Sequence, residues 1–158
     1  MTFRLRGNEA ANVTAARLVF NGDECQIVEV GSVLELDVKR GLLEPSVAEW
    51  NGRYYFTIRA EDDRGYRAVS DDGFSWRDFG PWCRDDDTPL TMSTTRSRWL
   101  PHSEGLYLVY VRRDESIINV MRWRAPLFVS RVDMDTMRLI RSTERVAVTA
   151  PGGRSKRS

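Results

Sequence analysis

The chain of 158 residues is long enough for one domain with a buried core, since 41% of its residues are hydrophobic and 10% are aromatic. Its 24 basic and 23 acidic residues nearly cancel, so the overall charge favours no nucleic acid and no membrane as a partner. The sequence contains no signal-peptide core and no transmembrane stretch, which makes a cytoplasmic location the default expectation.

Short runs of β-branched and aromatic residues, separated by Gly, Asp and Pro, recur along the chain and predict an all-β fold of antiparallel hairpins. Only segment 8–17 has a pattern that could hold a helical turn or two. The predicted strands are residues 17–20, 25–30, 43–50, 53–60, 66–70, 94–100, 106–112, 120–122, 127–132 and 146–149. Residues 1–149 therefore form the domain, and the Gly-, Ser- and base-rich segment 150–158 is expected to be a disordered tail.

A segment in the first half of the chain recurs in the second half. Residues 51–61 align with residues 104–114, and the alignment matches a turn glycine, an aromatic strand, an arginine and an acid. Side-chain alternation then places Phe56 and Val109 on equivalent faces, and the polar residues at the strand ends on the opposite faces. The polar residues are Arg59, Glu61, Arg112 and Asp114. The spacing suits a four-stranded propeller blade, and two unrelated hairpins that share a turn glycine are the alternative.

Residues 70–76, Ser-Asp-Asp-Gly-Phe-Ser-Trp, have the composition of a tight turn followed by an aromatic anchor. Asp72 can accept hydrogen bonds from turn N–H groups, Gly73 can take a positive φ, and Trp76 can pack between neighbouring sheets. Together with Ser70, these residues resemble the Asp-box (BNR) repeat of sialidase-like β-propellers, whose usual form is Ser-x-Asp-x-Gly-x-Thr-Trp. This copy has one residue fewer between the Asp and the Trp, and a Ser at the Thr position.

The resemblance to sialidase-family propellers extends over most of the chain. The segments that carry it are residues 41–46, 54–59, 64–66, 91–95 and 122–128. It implies a partial β-propeller, in which two to three four-stranded antiparallel blades belong to a six-bladed ring with a sugar site at one end of its central channel. Such a fragment could also self-associate through its exposed blade edges.

The resemblance makes a carbohydrate the expected ligand and sialidase-like glycoside hydrolysis the leading activity. Glu44 and Glu61 are the candidate catalytic residues, because a pair of carboxylates is the minimum chemistry for hydrolysis of a glycosidic bond. Glu44 precedes a proline at the start of a predicted strand, from which its carboxylate could face a channel. Capping of backbone amides is the alternative role for Glu44.

Three arginines, Arg59, Arg112 and Arg124, together with Asp114, are the candidates for substrate binding. The resemblance suggests that the arginines hold a substrate carboxylate, as the arginine triad of sialidases does. The alternative is that each arginine pairs with a nearby acid, such as Glu61, on a solvated rim.

Two features favour the alternative hypothesis that the chain is a non-catalytic, lectin-like or protein-binding propeller fragment that has lost the active site. The sequence contains no Phe-Arg-Ile-Pro segment, and residues 96–99, Arg-Ser-Arg-Trp, stand where related proteins carry Gln-Gln-His-Trp. We expect no cofactor and no metal, because the single His102 and the isolated Cys25 and Cys83 lack any metal-ligand spacing.

Overall fold

The computed structural model describes residues 2–3, 10–92, 95–113 and 124–149. These residues form antiparallel strands and turns, with a single 3-10 turn at Arg141–Thr143, so the prediction of an all-β chain is confirmed. The strands are β1 (Thr2–Phe3), β2 (Asn12–Val13), β3 (Ala16–Phe20), β4 (Cys25–Val30), β5 (Leu43–Trp50), β6 (Arg53–Arg59), β7 (Gly65–Ser70), β8 (Arg77–Pro81), β9 (Arg98–His102), β10 (Gly105–Tyr110), β11 (Leu127–Asp133), β12 (Arg138–Leu139) and β13 (Arg145–Val148). In the part of the chain described, no helix has the length and apolarity needed to cross a membrane.

The first sheet consists of β5, β6, β7 and β8 in chain order, each antiparallel to the next. The turn between β5 and β6 is Asn51-Gly52, and both residues have a positive φ, which is typical of the two-residue turns that match the twist of a hairpin. This turn pairs Trp50 with Arg53 and fixes the register of the whole hairpin.

The second sheet consists of β9, β10 and β11 in chain order, followed by two short strands on the outer edge of β11. β12 pairs with the end of β11, and β13 pairs with its beginning. Before these two sheets lies the N-terminal hairpin, in which β3 pairs with β4, and the two-residue strands β1 and β2 pair with each other.

The first sheet lies in the middle of a stack and buries both of its faces. Tyr55 belongs to a core cluster shared with Leu108 and the rest of the inner face of the second sheet. Phe56, on the opposite face, belongs to a second cluster with Val13 and Leu42 from the N-terminal part of the chain. Because neighbouring residues of one strand point to opposite faces, the chain forms a stack of hairpin, first sheet and second sheet.

The structure corrects the register of the sequence repeat by one residue. The turn of the second sheet is Ser103-Glu104, not Glu104-Gly105, so Asn51 is equivalent to Ser103. Phe56 then corresponds to the buried Leu108 and not to Val109, which is only partly buried. The predicted sharing of faces was wrong for this reason, since a shift of one residue moves every side chain to the other face.

Four strands of the structure were not predicted: the two-residue strands β1 and β2, the edge strand β8, and β12. β8 contains Gly80 and Pro81 and lies on the edge of the first sheet, where proline is tolerated and sequence patterns are weak. β12 is only two residues long. Conversely, the helical turn suggested for segment 8–17 was wrong for its described residues, which contain β2 and the start of β3. The predicted strand 120–122 and the predicted tail 150–158 lie outside the described residues.

Candidate functional site

The turn between β7 and β8 is held together by the carboxylate of Asp72. One oxygen of this carboxylate accepts hydrogen bonds from the backbone N–H groups of Phe74 and Ser75, both at 2.7 Å, and from the hydroxyl of Ser70 at 2.8 Å. These hydrogen bonds lower the pKa of Asp72 well below its usual range, those from the Ser75 and Phe74 backbones most strongly. Gly73 takes φ +81°, a backbone conformation that suits glycine.

The same turn joins the first sheet to the N-terminal hairpin. The indole of Trp76 stacks on the ring of Phe56 with 3.8 Å between centroids. Ser32, which follows the hairpin, donates its N–H to the carbonyl oxygen of Phe74 at 2.8 Å and accepts the N–H of Trp76 at its hydroxyl oxygen at 3.0 Å. The turn of residues 70–76 is therefore a structural connector between neighbouring units.

The strand ends bring Glu44 and Arg59 together, because β5 begins where the antiparallel β6 ends. Glu44 lies at an irregularity of β5 and has φ +50°. Its carboxylate oxygen Oε2 lies 3.6 Å from Nε of Arg59 and 3.6 Å from Nε of Arg96, which precedes β9 in the second sheet. Glu44 and Arg96 are exposed, whereas the side chain of Arg59 is only 13% exposed.

The other predicted carboxylate, Glu61, is held by the loop that leads into β5. Arg40 donates from Nε to one oxygen of Glu61 at 2.9 Å and from Nη2 to the other oxygen. Lys39 donates to the backbone carbonyl oxygen of Glu61 at 2.7 Å. The hydrogen bond from Arg40 is the main cause that lowers the pKa of Glu61 below its usual value. We call the group Arg40, Glu44, Arg59, Glu61 and Arg96 the arginine rim.

Arg112 is engaged in a different cluster, around Glu144. It donates from Nη2 to Oε1 of Glu144 at 2.9 Å, and its guanidinium carbon lies 4.1 Å from the ring centroid of Phe128. Arg84 donates to Oε2 of the same carboxylate at 2.9 Å, and the hydroxyl of Tyr110 donates to it at 2.5 Å. All four polar side chains are largely buried, so this cluster joins β10 to the segment before β13.

The polar partners control the ionisation of the Glu144 cluster. Burial acts to raise the pKa of Glu144, but the hydrogen bonds from Arg112 and Tyr110 and the charge of Arg84 outweigh it, so the pKa lies below its usual value. Burial, together with the hydrogen bond to Glu144, raises the pKa of Tyr110. The carboxylate is thus ionised, and the phenol protonated, at neutral pH.

A further ion pair joins the loops at the ends of the two sheets. Arg113 donates to a carboxylate oxygen of Asp63 at 2.6 Å. Between these two loops, Met92 donates its N–H to the carbonyl oxygen of Asp63, and Arg113 donates its N–H to that of Thr91. The end of β6 and the end of β10 therefore lie on the same side of the stack.

The structure brings together some of the predicted site residues. Glu44 and Arg59 are in contact, Glu61 lies on the same rim paired with Arg40, and Arg112 pairs with Glu144 instead of an acid of its own repeat. Arg124 is exposed, and Asp114 lies outside the described residues. Arg96 was not predicted as a site residue. The signal that could have identified it is the pair of arginines in residues 96–99, Arg-Ser-Arg-Trp, within a predicted inner strand.

Metal ligands do not converge in the described ranges, where no group of three or more His, Cys, Asp or Glu side chains could hold an ion. The acidic run 85–87 instead faces basic residues near β12. Asp86 pairs with Arg141 at 3.1 Å, and Asp87 pairs with Arg138 at 2.5 Å.

Comparison of the chain with protein-family models, with curated proteins and with solved structures found no match in any of the three.

Proposed function

We propose that the chain is part of a sialidase-like β-propeller that binds a glycan at the arginine rim. The first observation that supports the propeller is the way the two antiparallel sheets stack. The Tyr55 face of the first sheet packs against the Leu108 face of the second sheet, which is the face opposite to the equivalent Tyr107. The propeller is also supported by the contact between the first strands of the two sheets, β5 and β9, which is expected of the innermost strands of neighbouring blades. The turn of residues 70–76 joins the third and fourth strands of the first sheet, which gives its Asp72 carboxylate a structural role.

The observation that carries the proposal of glycan binding is the position of Glu44 between Arg59 and Arg96. The 3.6 Å separation between Glu44 and Arg96 is longer than a hydrogen bond, so a ligand oxygen could replace the carboxylate at the exposed guanidinium group of Arg96. Guanidinium forks donate in pairs to carboxylates, and a neighbouring carboxylate accepts from hydroxyl groups. An exposed rim with both kinds of group suits a sugar that carries an anionic substituent.

Recognition without hydrolysis agrees best with the ionisation of the rim. Hydrolysis by a carboxylate pair requires one protonated carboxyl group as the general acid, and enzymes obtain it by raising a pKa. The pKa of Glu61 is instead lowered, and both of its oxygens are engaged by Arg40. Hydrolysis remains the second candidate because Glu44 is exposed on the same rim.

Binding to an array of immobilised glycans, followed by titration with the best ligand, tests the proposal. We expect Arg96→Ala to weaken binding by about tenfold or more, because a charge-assisted hydrogen bond to the ligand is lost. Arg53→Ala is the matched control, since Arg53 is equally exposed but lies at the opposite end of β6, where it pairs with Asp71 at 3.0 Å. Failure of the unmodified protein to bind any glycan would contradict the proposal.

An assay with fluorogenic sialosides and a panel of other glycosides separates the two candidate functions. We expect glycan binding without turnover. Turnover that is abolished by Glu44→Gln, in a variant that still binds the glycan, would instead establish the hydrolase and assign a catalytic role to Glu44.

A further inference from the structure

Among the residues that the structure describes, none covers one face of the second sheet, which we call the outer face of the second sheet. The strand registers place Leu100 and Tyr107 opposite each other on this face, and Val148 shares it through its pairing with Leu127. Leu100 is 49% exposed and Val148 is 55% exposed. The same registers add three arginines to this face, Arg98, Arg131 and Arg145.

At the other end of the stack, apolar side chains of the N-terminal hairpin are not covered by any part of the described ranges. Arg17 lies over the ring of Phe74 at 4.8 Å, so β3 contacts the first sheet at Arg17, whereas Val19 on the same side of β3 is 51% exposed. Leu18 and Phe20 alternate with Arg17 and Val19 along β3, and Ile27 pairs with Leu18, which places these three side chains on the opposite side. Phe20 is 68% exposed. We call this surface the outer face of the hairpin.

The packing inside the chain indicates what covers the outer face of the second sheet. With the corrected register, Tyr107 is equivalent to Tyr55, and the Tyr55 face of the first sheet is covered by the next unit of the stack. A surface equivalent to one that already binds a sheet of this chain is suited to another such unit. The hairpin, with its exposed apolar face, is the unit that begins the stack.

Charge complementarity favours the same pairing. The hairpin is acidic overall, because it carries Arg17 against three carboxylates: Glu29, which pairs with Arg17 on the side opposite to Leu18, and Asp23 and Glu24, which lie in the turn beside the outer face. The outer face of the second sheet carries the three arginines named above. Opposite charges at the two ends of one stack favour end-to-end contact between copies and disfavour contact between identical ends.

We propose that the outer face of the second sheet of one copy packs against the outer face of the hairpin of a second copy, and that the reciprocal contact closes the pair. Each copy supplies a stack of three units, so two copies supply six, within the range of about four to eight blades that close a propeller. This inference rests on the proposed propeller fold and is independent of glycan binding by the rim.

Sedimentation velocity over a range of protein concentrations tests the proposal. We expect a dimer, and we expect Phe20→Glu or Leu100→Glu to raise its dissociation constant on the order of a hundredfold, because each buries a charge in an apolar contact. Val33→Glu is the matched control, since Val33 is 45% exposed but lies on neither outer face. Circular dichroism and tryptophan fluorescence report whether each variant keeps the fold.

A mixture of the two variants tests the head-to-tail arrangement. In a mixed dimer, the intact second sheet of the Phe20→Glu chain meets the intact hairpin of the Leu100→Glu chain. One of the two contacts is therefore restored, and we expect the dimer to reappear on mixing. A dimer of identical faces gains nothing from mixing, which would overturn the arrangement. A monomer at all concentrations would overturn the dimer itself and leave glycan binding by the rim unaffected, with further blades of a longer chain as the occupant of both faces.

Discussion

Replacement of Glu144 by Gln removes a negative charge that two largely buried arginines, Arg84 and Arg112, share. The side chain of Glu144 is 15% exposed, and those of Arg84 and Arg112 are 10% and 19% exposed. Breaking a buried ion pair from one side costs about 3–5 kcal/mol, because the remaining charge is left uncompensated. Since these side chains keep some contact with water, we expect Glu144→Gln to lower the free energy of unfolding by about 3 kcal/mol, near the lower end of that range.

Two further variants separate burial from charge. Tyr110→Phe removes one hydrogen bond to the same carboxylate, and we expect it to cost about 1.5–3 kcal/mol. Glu29→Gln breaks the 3.0 Å pair with Arg17 on the hairpin, where both side chains are about half exposed, and we expect a loss below about 1 kcal/mol.

Urea unfolding followed by tryptophan fluorescence, at one fixed protein concentration, measures these differences. The folded pKa of Glu144 is lowered, so its contribution is present above the unfolded glutamate pKa and is lost as the pH falls through the folded value. The difference between the wild-type protein and Glu144→Gln should therefore shrink in acid. Equal losses for Glu144→Gln and Glu29→Gln at neutral pH would refute the reasoning.

Two other perturbations, one within the first sheet and one between the hairpin and the first sheet, are tested by the same unfolding measurement. The buried hydroxyl of Thr57 accepts a hydrogen bond from the indole N–H of Trp82 at 3.1 Å. Thr57→Val leaves this N–H without an acceptor and should lower the free energy of unfolding by about 1–3 kcal/mol. Thr57→Ser keeps the hydrogen bond and should lower it by about 1 kcal/mol, because only a methyl group is lost. A Cβ added at Gly31 would lie 2.5 Å from the backbone oxygen of Phe74, so Gly31→Ala should lower the free energy of unfolding by about 1–3 kcal/mol. A Cβ added at Gly80 would have no atom within 4 Å, so Gly80→Ala should leave the stability nearly unchanged. Equal effects within either pair of variants would contradict the contact that the pair tests.

Strand positions could be predicted from the sequence wherever alternation was strong. The predicted boundaries of β4 and β5 agree with the structure, because each of these strands is a run of alternating or β-branched residues that ends at Gly, Asn or Asp. β8 could not be predicted in this way, since Arg77-Asp78-Phe79-Gly80-Pro81 has the composition of a loop and becomes a strand only because β7 offers it an edge.

The arginine rim was predicted only in part, for a related reason. The proximity of Glu44 and Arg59 follows from one hairpin, since the start of β5 must lie beside the end of β6. The contact between Glu44 and Arg96 requires the second sheet to pack beside the first, which no local pattern encodes. The pairing of Arg112 with Glu144 also depends on tertiary packing, because Glu144 reaches Arg112 only when β13 pairs with β11. Ion pairs between distant segments depend on tertiary packing. Sequence spacing can therefore identify candidate charged residues but cannot predict which of them pair with each other.

The one-residue correction of the repeat has a consequence for the whole architecture. In the register read from the sequence, Tyr55 and Leu108 are equivalent, and because they share one core, the two sheets would meet by identical faces as a sandwich that closes on itself. In the observed register, Leu108 is equivalent to Phe56, so each sheet turns the same face towards the unit before it. As far as the chain is described, such a stack has a free face at each end and can continue, which is what a propeller, or a second copy of this chain, requires.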